Sequence, residues 1–118
     1  MSDAKARPIV WVGGSRKQVR NFPLEVKKAV ADALFDVQMG SKPPDAKPLK
    51  GVGSGVFEIV TRHDSNTYRT VYAVQIGSSV YVLYAFQKKS KKGIKTQKND
   101  VDLIKRRYQQ ALEMEKLK

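Results

Sequence analysis

The stretch Tyr84–Lys98, YAFQKKSKKGIKTQK, decides how the chain is put together. It opens as the apolar end of a strand, turns abruptly into a lysine run, and passes through Gly93 and Thr96 into a final helix. A strand end holds backbone rigidly, so lysines just beyond it stand at defined positions. Between Phe86 and Arg107 there are nine Lys and Arg residues against Asp100 and Asp102. The segment carries +7 of a formal net charge of +12 in under a fifth of the 118 residues. A polyanionic partner is the expectation.

Upstream of that stretch lies a meander. Val56–Arg62 is β-branched and aromatic, His63–Thr67 is turn chemistry, and Tyr68–Ile76 is a second run. Gly77-Ser78 fits a tight hairpin turn before a third run, Val80–Phe86. In this last strand both alternating sets, Val80/Val82/Tyr84/Phe86 and Tyr81/Leu83/Ala85, are largely apolar, which marks a strand covered on both faces. A first turn at Ser65-Asn66 sets Arg62 opposite Arg69, their side chains sharing a face. A second turn over Gly77-Ser78-Ser79 sets Phe86 opposite Arg69 and Tyr84 opposite Val71. Two arginines and two rings then gather where the lysine run begins. A slip of one residue would send all of them to the other face.

Before the meander, Pro8–Val12 reads as a first strand stopped by Gly13-Gly14. Ser15 offers an N-cap for a short helix, Arg16–Arg20, which Asn21-Phe22-Pro23 interrupts. From Pro23 a second helix carries the stripe Val26, Ala29, Val30, Ala33, Leu34 and Val37, and Gly40 ends it at C′. Ser41–Gly55 has no period and reads as a loop; Lys50 within it is either solvated or part of an anion site. After the lysine run, Thr96 or Asn99 caps a last helix with the stripe Val101, Ile104, Tyr108, Ala111 and Leu112. Lys105, Arg106 and Arg107 fall outside or beside it. The pattern is α+β: a small antiparallel sheet of about four strands, two N-terminal helices and one C-terminal helix, as a single domain over residues 1–118.

Several chemistries are excluded. The chain has no cysteine and one histidine, His63, so thiol nucleophiles, Cys-based zinc sites and paired-His metal sites are absent. Asp100 and Asp102, two apart on a helix, point to different sides and make a poor catalytic dyad. Gly51-Val52-Gly53-Ser54-Gly55 precedes a strand rather than opening a helix, unlike a phosphate loop. The apolar run Pro8–Val12 is too short for a signal peptide or a membrane span, so a soluble, cytoplasmic chain without a membrane partner is expected. What remains is Arg62, Arg69, Lys50, the lysines after Phe86, and nearby rings. Each arginine also has a plain alternative as an exposed strand position, and the lysine run as a solvated loop. As a set they can bind phosphates and stack bases. They can also support RNA cleavage without a metal: a base takes the 2′-hydroxyl proton, cations stabilise the phosphorane charge, and an acid protonates the leaving 5′ oxygen.

The order of elements and several motifs resemble the RelE/ParE toxin superfamily, and within it the phage-related HigB/Tad-like branch. The residues that carry this are Phe22-Pro23-x-Glu25-Val26, Lys47-Pro48-Leu49-Lys50-Gly51, Val56-Phe57-Glu58-Ile59 and Thr67-Tyr68-Arg69. To these add Tyr84-Ala85-Phe86-Gln87-Lys88-Lys89-Ser90, Lys95-Thr96, and the helix segment Asp102–Arg107. In relatives a Glu-x-Arg pair marks the basic strand, whereas here Glu58 and Arg62 stand four apart. The resemblance implies a RelE-like fold and a type II toxin that cleaves mRNA, in most relatives in the A site of the 30S ribosomal subunit. It implies no cofactor, and neutralisation by a small helix-turn-helix antitoxin of the HigA kind. Carried over by position, it implies Arg62, Arg69, Lys88 and Lys89 as catalytic phosphate and transition-state groups. Tyr84 and Phe86 would line the base site, with Lys50, Lys91, Lys92 and Lys95 holding RNA. Two other functions fit the same scaffold: a non-catalytic nucleic-acid-binding module, and a ParE-like inhibitor of DNA gyrase.

Overall fold

The last strand, β5 (Val80–Lys88), is paired along both edges: parallel to β1 (Ile9–Trp11) and antiparallel to β4 (Asn66–Ala73). β4 pairs antiparallel with β3 (Val56–His63), and β3 with β2 (Ala46–Pro48), giving the sheet order β1-β5-β4-β3-β2. The structure, a computed structural model, describes residues 6–88 and 96–118. Helices α1 (Ser15–Arg20) and α2 (Leu24–Gln38) cover one face of the sheet, and α3 (Lys98–Lys116) lies against the other. The α+β architecture agrees with the sequence reading, with five strands rather than about four. The extra one, β2, lies inside the segment read as a loop. Its three residues, Ala-Lys-Pro, are too few to show a period, and they are held by pairing with Phe57–Ile59.

A bulge in β5 sets which side chains face which helix. Val71 pairs with Tyr84 but Tyr72 pairs with Val82, so Leu83 is an extra residue on β5. Up to Val82 the strand alternates normally, with Val80 and Val82 in the α2-side core and Tyr81 in the α3-side core. After the bulge, Leu83 and Tyr84 both face α3, Ala85 faces α2, and Phe86 again faces α3. Strict alternation would have grouped Tyr84 and Phe86 with Val80 and Val82.

The α2 stripe is buried at Val26, Val30, Ala33, Leu34 and Val37. Ala29, included in the stripe by spacing, is exposed, since a packing face narrower than the periodic pattern leaves its edge in solvent. Each fully buried valine on this face contributes about 1.5–3 kcal/mol. Gly40 takes φ +91°, the left-handed conformation of a C′ residue. Two caps differ from expectation. Ser15 is the first residue inside α1, with its hydroxyl donating to the Val82 carbonyl at 2.9 Å. Thr96 does not cap α3, because its hydroxyl is engaged by a buried carboxylate on β3.

Candidate nucleic-acid interface

The hairpin between β3 and β4 turns at Asp64-Ser65, both at positive φ (48° and 66°), one residue earlier than the sequence reading placed it. Arg62 is therefore opposite Thr67, and Arg69 opposite Val60. The displacement changes the pairing by two positions, so Arg62 and Arg69 keep a common face but stand one row apart. On the β4–β5 side Arg69 is opposite Phe86 and Val71 opposite Tyr84, as the sequence reading has it. Three rows of α3-facing side chains result: Glu58, Val71 and Tyr84; then Val60, Arg69 and Phe86; then Arg62, Thr67 and Lys88.

The first row sits under the start of α3. Thr96 Oγ1 donates to Glu58 Oε2 at 2.8 Å, and the Tyr84 hydroxyl donates to Asp100 Oδ1 at 3.3 Å. Burial, with the Asp100 carboxylate second, raises the Tyr84 phenol above its ordinary pKa. Its ring stacks on Phe86 with centroids 5.0 Å apart and planes 23° from parallel. This pair forms a flat, half-buried aromatic surface of the kind on which a base can stack.

The second row is held by an ion pair. Arg69 is 2% exposed, and its Nη1 donates to Glu58 Oε1, a diagonal neighbour on β3. Glu58 thus binds one group through each oxygen: Arg69 on β4 and Thr96 at the entry to α3. A buried guanidinium engaged in this way fixes the sheet geometry beside Phe86, and much of its charge is balanced locally. Sequence reasoning missed Glu58, having weighed it only against Arg62 on its own strand. The usable signal was the parity shared by Glu58 and Arg69 across the hairpin.

The third row is the outermost. Arg62 is exposed and borders a shallow cleft with Asp45, Lys47 and Val60. Lys88 ends β5 opposite Thr67 and is buried. Lys89, Lys91, Lys92 and Lys95 lie outside the described residues. Lys50 is exposed but is not brought to this end. The β2–β3 register pairs Pro48 with Phe57, five positions or roughly 17 Å along the strand from Arg62. Arg107 also differs from its reading as a residue at the border of the α3 stripe. It is half-buried, its Nη1 donates to the carbonyls of Leu83 (2.9 Å) and Val12 (3.3 Å), and its guanidinium lies 5.8 Å from the Tyr84 ring centroid. Gly13, at φ +56°, makes room for it: a Cβ there would sit 2.6 Å from the guanidinium carbon. Arg107 rivets α3 to β5 and to the residue that follows β1.

The third row thus sets Arg62 and Lys88 at one end of the sheet, next to the Tyr84–Phe86 surface. Among the described residues no helix is long and apolar enough to cross a membrane. No curated protein matches the chain significantly. Among solved structures, the chain is similar to one in the toxin–antitoxin complex RelBE2 from Mycobacterium tuberculosis, with a TM-score of 0.50 and 22% identity. That match covers 70% of this chain and 99% of the other, and it agrees with a RelE-like fold. The family model described as "Phage derived protein Gp49-like (DUF891)" matches residues 17–109, from α1 to the middle of α3. This chain therefore belongs to the Gp49-like family of phage-derived proteins.

Proposed function

We propose that this chain is a HigB-like toxin of a type II toxin–antitoxin pair and that it cleaves mRNA on the ribosome without a metal. The observation that carries the reading is the strand-end cluster: Arg62 and Lys88 in one row, beside the stacked Tyr84 and Phe86 rings, in a chain of net charge +12. Arg62, Lys88 and Lys89 neutralise the scissile phosphate and the charge that grows on it as the 2′-oxygen attacks. The P–O5′ bond breaks as the P–O2′ bond forms, leaving a 2′,3′-cyclic phosphate and a 5′-hydroxyl. One lysine of the cluster serves as the base for the 2′-hydroxyl proton, and a second, protonated cation gives a proton to the leaving 5′ oxygen. Tyr84 and Phe86 stack a neighbouring base. Arg69, engaged by Glu58, positions Phe86 and the end of β4. Lys91, Lys92 and Lys95 hold RNA backbone, with Lys50 a more distant contact. A helix-turn-helix antitoxin of the HigA kind neutralises the toxin.

Expressed alone, the protein should arrest growth and yield mRNA fragments with 5′-hydroxyl ends in codon phase. The Lys88→Ala/Lys89→Ala variant should accumulate as folded protein and restore growth. Normal growth with abundant soluble wild-type protein would sink the toxin reading. Growth arrest with intact mRNA and broken DNA would favour gyrase as the target instead.

A further inference from the structure

The face of the sheet away from the strand-end cluster carries a second surface. Ile9 and Trp11 of β1, Val19 of α1, and Val30, Ala31 and Leu34 of α2 line an open groove of about 520 Å³. Among the described residues β1 is an edge strand that pairs only with β5, so the groove runs along that border of the sheet. Its apolar wall does not stop at the groove. Leu24 and Phe35 share the groove-facing side of α2 with Ala31, at spacings of seven and four residues, and are 60% and 57% exposed. From Leu24 to Phe35 is eleven residues, roughly 16 Å along the axis, or about three helical turns. Large side chains left in water at helical spacing beside an apolar groove mark a surface that is covered by something.

The charges say what kind of partner fits. Arg16 and Arg20 stand on one bank and Lys27 on the other, with no carboxylate in the lining among the described residues. Among the described residues none of the three makes an ion pair. A second copy of this chain would bring a surface of the same sign, and nucleic acid has no use for six apolar side chains. We infer that the groove is the docking site for an amphipathic helix of a partner protein. That helix would bury an apolar stripe of about three turns on Trp11, Ala31, Leu34 and Phe35, with Asp or Glu flanking the stripe toward Arg16, Arg20 and Lys27. This rests on the toxin reading for the partner's identity, the antitoxin. The site itself lies on the opposite side of the sheet from Arg62 and Lys88. The helix therefore neutralises the toxin by keeping it off its target rather than by filling the strand-end cluster.

The probe is the product of the reading frame adjacent to this one, co-expressed and titrated against the purified chain. Ala31 is exposed, so Ala31→Arg fills the groove floor without disturbing the core. Ala31→Arg should weaken binding about a hundredfold or more, on the scale of an interface hot spot. Arg16→Glu/Arg20→Glu should slow association and flatten its salt dependence. In cells Ala31→Arg should stay as toxic as wild type and escape rescue by the co-expressed partner. A wild-type complex that both variants leave intact would overturn the groove and spare the toxin reading. Failure of the wild-type chain to bind that product would overturn the toxin–antitoxin reading on which the partner's identity rests.

Discussion

Glu58 and Ile59 are adjacent in β3, and they sit in two different kinds of interior. Ile59 points toward α2 into a cluster made of Phe22, Val26, Val30, Leu34, Tyr68, Tyr72 and their neighbours. Glu58 points toward α3, where it binds Arg69 and Thr96. The α2 side is held by area removed from water, which tolerates exchange of one apolar shape for another of similar volume. The α3 side is held near the strand end by named partners: Glu58 with Arg69 and Thr96, Tyr84 with Asp100, and Arg107 with two carbonyls. A partner-specific interior fixes where side chains stand more than it adds to stability. It lies on the side of the sheet that carries Tyr84, Phe86, Arg62 and Lys88.

Substitutions can break this contrast, and the largest effect is expected at Glu58. Glu58→Ala leaves the Arg69 guanidinium buried without its carboxylate and should cost about 3–5 kcal/mol in denaturant unfolding. Replacing both members, Glu58→Met with Arg69→Met, should recover most of that stability while leaving the proposed mRNA cleavage impaired. Full activity in the double variant would mean that the pair does not position the strand end.

Ile59→Ala should cost about 2–5 kcal/mol on the other side, from lost transfer energy and the cavity left behind. Ile59→Val should restore all but about 1 kcal/mol of it, since only volume matters there. A cost for Ile59→Val as large as for the alanine variant would show that this interior too depends on specific shape.

Alkaline titration separates the two sides by tyrosine. Burial pushes Tyr72, on the α2 side, up to about 12. A phenol with a raised folded pKa gives stability that is complete below its unfolded value near 10 and is lost as pH climbs through 12. The loss is on the order of 3 kcal/mol, and Tyr72→Phe should abolish it while changing little at neutral pH. On the α3 side, Asp100→Asn should lower the Tyr84 pKa only in part, because burial is the larger cause. Tyrosine absorbance against pH in the two variants reads both.

The smallest effect concerns a polar atom in the apolar side. Thr70 is fully buried, and its hydroxyl has no hydrogen-bond partner among the described residues. Thr70→Val should be neutral or stabilising by about 1 kcal/mol, measured as a rise in Tm.

Which parts of this were legible follows from the same physics. The α2 stripe and the apolar runs of β3, β4 and β5 could be read because periodicity is the record of one-sided burial. The pairing of Phe86 with Arg69 could be read because turn chemistry limits the register. The β3–β4 turn was placed one residue late because Asp64 and Ser65 both take positive φ, which Ser rarely does and no local pattern announces. Thr96 read as a cap, since a hydroxyl before a helix usually is one; only the fold brings Glu58 within its reach. Arg107 read as charge at the border of the α3 stripe, although it reaches backbone carbonyls on β5 and just after β1. Contacts between residues far apart in sequence leave little trace in spacing.

The extra residue in β5 has a consequence for how this strand can change. Leu83 works as a spatial frameshift. Flatten the bulge, so that Leu83 is paired in its turn, and Val80, Tyr81 and Val82 keep their places while every later residue trades sides: Tyr84, Phe86 and Lys88 turn toward α2, and Ala85 and Gln87 turn toward α3. No sequence of single substitutions passes gradually between those two arrangements. Deleting Leu83 itself removes the bulge and keeps those sides, whereas an insertion or deletion beyond it reverses them; substitutions at the strand tip can explore different surface chemistry while the anchored half stays in register.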